Sequence, residues 1–236
     1  MVSLPHPTWY LTGKVVLEYV CALILTVFFA PVVLLTALLV KLTSPGPVFY
    51  AQTRLGRHGK PFRIFKVRTM IHNCELHSGP KWSTGRDARI TPVGRFLRKT
   101  HLDELPQLWN VLRGEMSLVG PRPERPEFVP SLERAIPCYG DRMLVRPGVT
   151  GLAQVQLPAD TDLSSVRRKL AYDLYYVRHL SFWLDVRIVL CTVGKVIGLP
   201  FHLLGRYFGI PSRQTVEETY ESHQVETTVA ALQSSP

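Results

Sequence analysis

Residues 15–40 form a long apolar run in which Glu18 is the only charged residue and Pro31 the only proline. As a straight helix at about 1.5 Å per residue, this run would reach roughly 39 Å. A bilayer's hydrocarbon core is about 30 Å thick, so the segment is long enough to cross one. A cleaved leader fits poorly. Its apolar core would cover about 7–15 residues and end at a small-residue cleavage site, whereas here a basic segment follows. Lys14 precedes the run, and Lys41, Arg54, Arg57, Lys60, Arg63, Lys66 and Arg68 come after it. That excess of positive charge assigns the C-terminal flank to the cytoplasmic side. Pro31 removes one helical hydrogen bond and crowds the preceding turn, so a kink is expected there. On the residues alone, a spanning helix and a re-entrant helix that returns to the same face remain open.

The remainder of the 236-residue chain reads as a helix-dominated α+β domain. The sequence SPGP at 44–47 ends the apolar helix. Alternating apolar and basic residues around Gly56 and Gly59 predict a β-hairpin near 48–68. Residues 72–89 read as a loop and 92–99 as a short helix. In 103–114, Asp103 is placed to cap a helix, Pro106 falls in its first turn, and Gly114 closes it. Leu105, Leu108, Trp109 and Leu112 form its apolar stripe. The proline-rich stretch 120–130 excludes regular helix, and PGVTG at 147–151 reads as a tight loop. A helix is expected over 163–179, with Leu170, Leu174 and Val177 on its apolar side. Residues 182–207 suit interfacial amphipathic helices with Trp183, Phe201 and Tyr207 at headgroup level. The chain thus divides into a membrane anchor (1–43), a catalytic domain (44–210) and a polar tail expected to lack structure (211–236).

The formal net charge of +10 calls for an anionic partner: nucleic acid, anionic lipid or a phosphorylated substrate. Cys21, Cys74, Cys138 and Cys191 are widely spaced with no CxxC pair, which argues against a zinc site or a disulfide framework. The chemistry-bearing pattern is the adjacent pair Asp103 and Glu104. Two neighbouring carboxylates repel when both are ionised, and a hard dication such as Mg²⁺ relieves that cost. A helix cap followed by a first-turn Glu is the plainer explanation for the pair taken alone. Arg98, Arg122 in the rigid GPRP turn, and Arg146 ahead of PGVTG change the balance, because guanidinium groups in fixed turns suit phosphates.

The stretches QTRLGRHGKPFRIFKVRTM (52–70), RITPVGRFLRKTHLDELPQLWNVLRGEMSLVGPRP (89–123) and VRPGVTGLAQV (145–155) resemble the bacterial sugar transferases known as monotopic phosphoglycosyl transferases. The chain is similar to their small form. The resemblance implies a re-entrant membrane helix kinked at Pro31 and a catalytic domain on the cytoplasmic face of the bacterial inner membrane. It implies transfer of a sugar-1-phosphate from a UDP-sugar to polyprenyl (undecaprenyl) phosphate, with release of UMP, as the first step of exopolysaccharide, O-antigen, capsule or glycoprotein glycan assembly. In that scheme Asp103 is the nucleophile, Glu104 holds Mg²⁺ or assists proton handling, and Arg98, Arg122 and Arg146 hold phosphates. Membrane lipid is a partner, a homodimer is compatible, and nucleic acid is not expected. After Gln154 and Val155 the segment QLPADTDLSSVRR lacks the Gly-Arg-Asn pattern common in relatives, so sugar specificity does not carry over. Two other readings fit the same residues: a Mg²⁺-dependent phosphatase or nucleotidyl transferase, and a non-catalytic binder of anionic lipid or nucleic acid.

Overall fold

The structure, a computed structural model, describes residues 8–75, 79, 87–158, 160 and 162–233. It is a helix-dominated α+β fold with two small two-stranded sheets. Helix α1, Thr8–Thr43, carries the apolar run and continues through Pro31. Among the described residues it is the one helix long and apolar enough to cross a membrane. Strands β1 (Phe49–Leu55) and β2 (Pro61–Val67) form the expected antiparallel hairpin, in register from Phe49 opposite Val67 to Leu55 opposite Pro61. Gly59 takes φ +71° at its turn, a backbone region that glycine enters without strain. Of the expected 72–89 loop, residues 76–78 and 80–86 lie outside those described.

Helix α2, Pro92–Thr100, starts where the Thr91 hydroxyl accepts from the Gly94 amide at 2.9 Å. Its N1 proline loses nothing, because that amide would have no helical partner. Gly94 is needed for contact: a Cβ there would collide with the Thr69 carbonyl just beyond β2. Helix α3, Gln107–Leu112, follows, then β3 (Ser117–Val119), α4 (Val129–Ala135) and β4 (Gly148–Thr150). Strands β3 and β4 pair in parallel, Ser117 with Gly148 and Val119 with Thr150. Residues 148–150, expected as loop, are therefore strand, and Gly120 and Gly148 permit the close approach of the two backbones.

The C-terminal half is helical: α5 (Leu152–Gln156), α6 (Leu163–His179), α7 (Phe182–Val196), α8 (Phe201–Tyr207) and α9 (Arg213–Gln233). Asp162 and Ser165 form a reciprocal capping box on α6. Residues 182–207 are two helices separated by Gly198, at φ +86°, and Pro200. The tail expected to lack structure is corrected: α9 packs on α6, with Val216 and His223 buried and Tyr220 against the core. Spacings of four and three put these residues on one helical face, a stripe that the polar composition of the tail conceals.

The main core joins β3, α5, α6 and α7 through Val119, Val155, Ala171, Tyr176 and Ile188. A separate cluster seats α1 on the hairpin and α3, with Ala22 against Phe62, Ile64, Leu108 and Met116. Another packs Val40 of α1 against Val67 and Leu97. Removing a side chain such as Leu97 from water contributes about 1.5–3 kcal/mol. Helix α1 thus touches the folded body near both ends. Its opposite face, including Ile24, Val27, Phe28, Leu34 and Leu42, is exposed.

Candidate active site

Helix α2 stops at His101, whose left-handed backbone (φ +57°) turns the chain into a 3₁₀ turn, Leu102–Glu104. Asp103 therefore does not cap the following helix. Pro106 occupies the N-cap position of α3, and no side chain caps it. The sequence 103–114 splits because Pro106 lacks the N–H that would continue the turn into one helix. The stripe also differs from expectation. Trp109 is 54% exposed, whereas Leu108, Asn110 and Val111 are buried.

Asn110 is one of the residues that sequence reasoning missed. Its Nδ2 donates to the Arg63 carbonyl at 2.7 Å, and its Oδ1 accepts from the Phe65 amide at 3.1 Å. It acts as a surrogate strand neighbour that locks α3 to β2. Side chains alternate along a strand, so Lys66 falls on the face of Phe62 and Ile64, toward the 103–104 turn. Lys66 Nζ reaches Glu104 Oε1 at 2.7 Å. A polar residue between the apolar residues of a short helix was the only signal for Asn110 in the sequence.

Arg122 comes from the loop after β3. Its guanidinium donates to Glu104 Oε1 at 2.6 Å and Oε2 at 3.2 Å. The turn itself is pinned from behind: Arg142 donates to the Arg122 carbonyl at 2.8 Å while paired with Asp173 at 2.7 Å. Both members of that pair are buried. From α2, Arg98 donates from Nε to the Thr69 hydroxyl at 2.8 Å, and its charge bears on Asp103. Asp103, Glu104, Arg98 and Arg122 are thus brought together, with Lys66 added. Arg146 is not among them. It lines a separate cavity of about 60 Å³ with Lys14, Glu18, Arg57 and Tyr176.

The two carboxylates differ in character. Burial acts to raise the Glu104 pKa, but Arg122 and Lys66 outweigh it and hold the group well below the usual carboxylate range. Burial, and then the Glu104 charge, push Asp103 upward, with Lys66, Arg98 and Arg122 opposing. Among the described residues no side chain donates to the Asp103 carboxylate within hydrogen-bond distance. Lys66, Arg98 and Arg122 act on it by charge rather than through a hydrogen bond. Such a carboxylate can attack an electrophilic phosphorus whose oxygens those cations neutralise.

Residues 9–198 match the family described as bacterial sugar transferase. The chain is 44% identical over 194 residues to a UDP-N-acetylgalactosamine-undecaprenyl-phosphate N-acetylgalactosaminephosphotransferase from Aeromonas hydrophila, covering 82% of this chain and 45% of that one. It is 47% identical over 188 residues to a UDP-glucose:undecaprenyl-phosphate glucose-1-phosphate transferase from Caulobacter vibrioides, covering 78% and 69%. A UDP-glucose:undecaprenyl-phosphate glucose-1-phosphate transferase from Escherichia coli is 43% identical over 182 residues, covering 75% and 39%. The chain therefore spans less than half the length of two of these relatives and about two thirds of the third. The matched segment runs from α1 through the 103–104 turn to the end of α7, and on that extent the chain belongs to the bacterial sugar transferase family.

Proposed function

We propose that this protein transfers a sugar-1-phosphate from a UDP-sugar to undecaprenyl phosphate, the first step in building a membrane-linked glycan. The observation that carries the reading is Asp103: a buried carboxylate with no side-chain donor among the described residues, set among Lys66, Arg98 and Arg122. Its oxygen attacks the sugar-linked phosphorus, a P–O bond to Asp103 forms, and the P–O bond to UMP breaks. The undecaprenyl phosphate oxygen then attacks the same phosphorus and Asp103 is released. Arg98 and Arg122 offset the charge on the phosphoryl oxygens, and charge neutralisation with positioning is most of what this chemistry requires. Arg146 contributes to phosphate binding only where the acceptor extends toward the α1 cavity.

Mg²⁺ fits the site as a partner that arrives with the donor. Lys66, Arg98 and Arg122 carry three positive charges against two on Asp103 and Glu104, so a dication gains little before the diphosphate enters. Asp103 and the less tightly held Oε2 of Glu104 supply the hard oxygen donors it prefers. When bound, the ion would neutralise charge on the donor diphosphate.

The reading extends to topology. Lys14 and Glu18 near one end of α1, and Val40 and Ser44 near the other, all contact the same folded body. That arrangement supports a re-entrant helix, bent at Pro31, with both ends at the cytoplasmic face of the inner membrane. The exposed apolar side of α1 and Trp183, Leu203 and Tyr207 on α7 and α8 supply a surface for interfacial burial.

The test is trapping. The chain is incubated with UDP-sugar labelled at the sugar phosphate, without acceptor, and intact-protein mass is measured. The expected result is a phosphosugar adduct on Asp103, with one UMP released per adduct, discharged on adding undecaprenyl phosphate. Turnover that proceeds in Asp103→Asn at the wild-type rate would sink the proposal. A tag on the N-terminus tests the topology, and external accessibility would reject the re-entrant form.

A further inference from the structure

Away from Asp103, three metal-ligating side chains converge where α9 meets the body. Cys138 adopts a left-handed backbone, φ +60°, at the head of a 3₁₀ turn, Tyr139–Leu144. The Asp141 amide donates to the Cys138 carbonyl at 3.1 Å, so the turn is tight. This places a thiol and a carboxylate three residues apart on one turn, the spacing that lets a single loop offer two ligands to one ion. The third group comes from α9: His223 Nε2 lies 2.9 Å from Asp141 Oδ2, across a sequence separation of 82 residues. The sulfur, a carboxylate oxygen and an imidazole nitrogen all lie within 4.8 Å of one another. An ion with bonds of about 2.0–2.3 Å in tetrahedral geometry holds its ligand atoms roughly 3.3–3.7 Å apart. Small side-chain adjustments bring this trio to that spacing.

We propose that Cys138, Asp141 and His223 form a zinc-class metal site that clips α9 to the 139–144 turn. Thiolate, imidazole and carboxylate together are a borderline-soft donor set, which selects zinc rather than magnesium. The site is thus chemically distinct from the oxygen donors at 103–104. On binding, the Cys138 thiol gives up its proton to solvent, and the neutral imidazole uses Nε2 while carrying its own proton on Nδ1. Thiolate and carboxylate offset the dication's charge. Among the described residues no fourth Cys, His, Asp or Glu joins the group, so water completes the coordination. The position has a structural rationale. Among the described side chains of α9, which are largely polar, the apolar contact with the body comes from Val216 and Tyr220. His223 is nearly fully buried one turn further along. A metal clip that binds only the folded state would add to that contact.

The experiment uses the full chain in detergent, stripped with chelator and then reloaded with Zn²⁺ or Co²⁺ alone. One zinc per chain is expected by mass spectrometry. Cobalt should give a near-ultraviolet thiolate-to-metal band, which persists in Cys21→Ser and Cys74→Ser and disappears in Cys138→Ser. His223→Ala should lose the bound zinc. A wild-type chain with no cobalt–thiolate band, or a band that survives Cys138→Ser, overturns the proposal. Should the variants fold poorly, the wild-type chain carries the test by itself. Trypsin cleavage at the exposed Arg213 should slow on adding zinc and recover with chelator, and equal rates in both states count against the clip.

Discussion

The buried charges at the foot of α1 and those at the 103–104 turn are wired in opposite ways. At the foot of α1, each carboxylate is held by several donors. Glu18 accepts from Lys14 at 2.8 Å, from the Ser117 hydroxyl at 2.6 Å and from the Leu118 amide at 3.1 Å. Asp185 pairs with Lys14 and accepts from the Tyr176 hydroxyl at 2.7 Å and the Tyr10 hydroxyl at 3.0 Å. At the 103–104 turn only Glu104 is treated that way. Its neighbour Asp103 is buried among cations, yet no described side chain donates to it. Saturated donors fix geometry, and an ungripped carboxylate in a positive field stores reactivity. The first group holds a helix in place, and in the proposed mechanism the second keeps a nucleophile ready.

The largest expected effect comes from removing the proposed nucleophile. Asp103→Asn should lower sugar-phosphate transfer by at least about 10³-fold, measured as lipid-linked product. The same substitution should leave thermal stability equal or higher. The folded-state pKa of Asp103 lies above its ordinary value of 3.8. The stability this group contributes is therefore complete below that value and is lost as pH rises through the folded pKa, so its charge destabilises the fold at neutral pH. A melting temperature well below wild type would make Asp103 structural and erase the contrast.

Lys14→Met should do the reverse. It leaves Glu18 and Asp185 without their cation in a nearly buried setting, at a cost of about 3 kcal/mol. Thermal unfolding in detergent reads the loss, and activity per folded molecule should persist. Activity lost without a change in melting temperature would tie the α1 foot to chemistry rather than anchoring.

The long apolar helix, the hairpin and most helices were legible because periodicity and turn residues are local signals. Residues 15–40 are apolar on every side, and 48–68 alternate around two glycines. The Asp103–Glu104 pair was legible through its motif and its nearby arginines. What could not be read was the wiring. Glu18 looked like an isolated charge in an apolar run, but its partners Ser117 and Leu118 lie 99 and 100 residues away. Lys66 appeared as one of many basic residues, and only the strand register against the 103–104 turn singles it out. Arg146 follows the opposite course. Its sequence context matched that of Arg122, yet the parallel pairing of β3 and β4 leaves it lining the α1 cavity. Helix α9 was hidden because two buried positions and one partly buried one, at helical spacing, are faint in a polar segment.

A smaller effect separates the two carboxylates of the turn by pH. Glu104 is held well below its ordinary value of 4.5, once Arg122 and Lys66 have outweighed burial. A depressed carboxylate contributes stability above its unfolded pKa and loses it as pH falls through the folded one. Glu104→Gln should therefore cost about 2 kcal/mol at neutral pH, less than a fully buried pair would, because the Arg122 side chain is 34% exposed. The gap between variant and wild type should close progressively as pH drops below about 4.5 in chemical denaturation. A gap that stays constant with pH would mean that packing, rather than charge, holds Glu104.

The mildest change tests whether the cations around Asp103 are themselves positioned. Arg98 reaches the site from α2, and Thr69, just beyond β2, holds its Nε at 2.8 Å. Thr69→Val keeps the shape and removes the acceptor, a loss of about 1 kcal/mol or roughly fivefold in equilibrium terms. Because Arg98 would hold the donor phosphates in both ground and transition states, the loss should appear mainly as a higher KM for the UDP-sugar. Thr69→Ser restores the hydroxyl and should restore KM. A fall in kcat with KM unchanged, or a failure of Ser to rescue, would show that Thr69 supports the α2 backbone through its carbonyl, which accepts from the Thr91 amide at 3.0 Å, rather than aiming Arg98. In that case the positive field around Asp103 would depend on the placement of whole helices rather than on single side-chain contacts, and the contrast between the held carboxylates at the foot of α1 and the free one at 103 would rest on the fold alone.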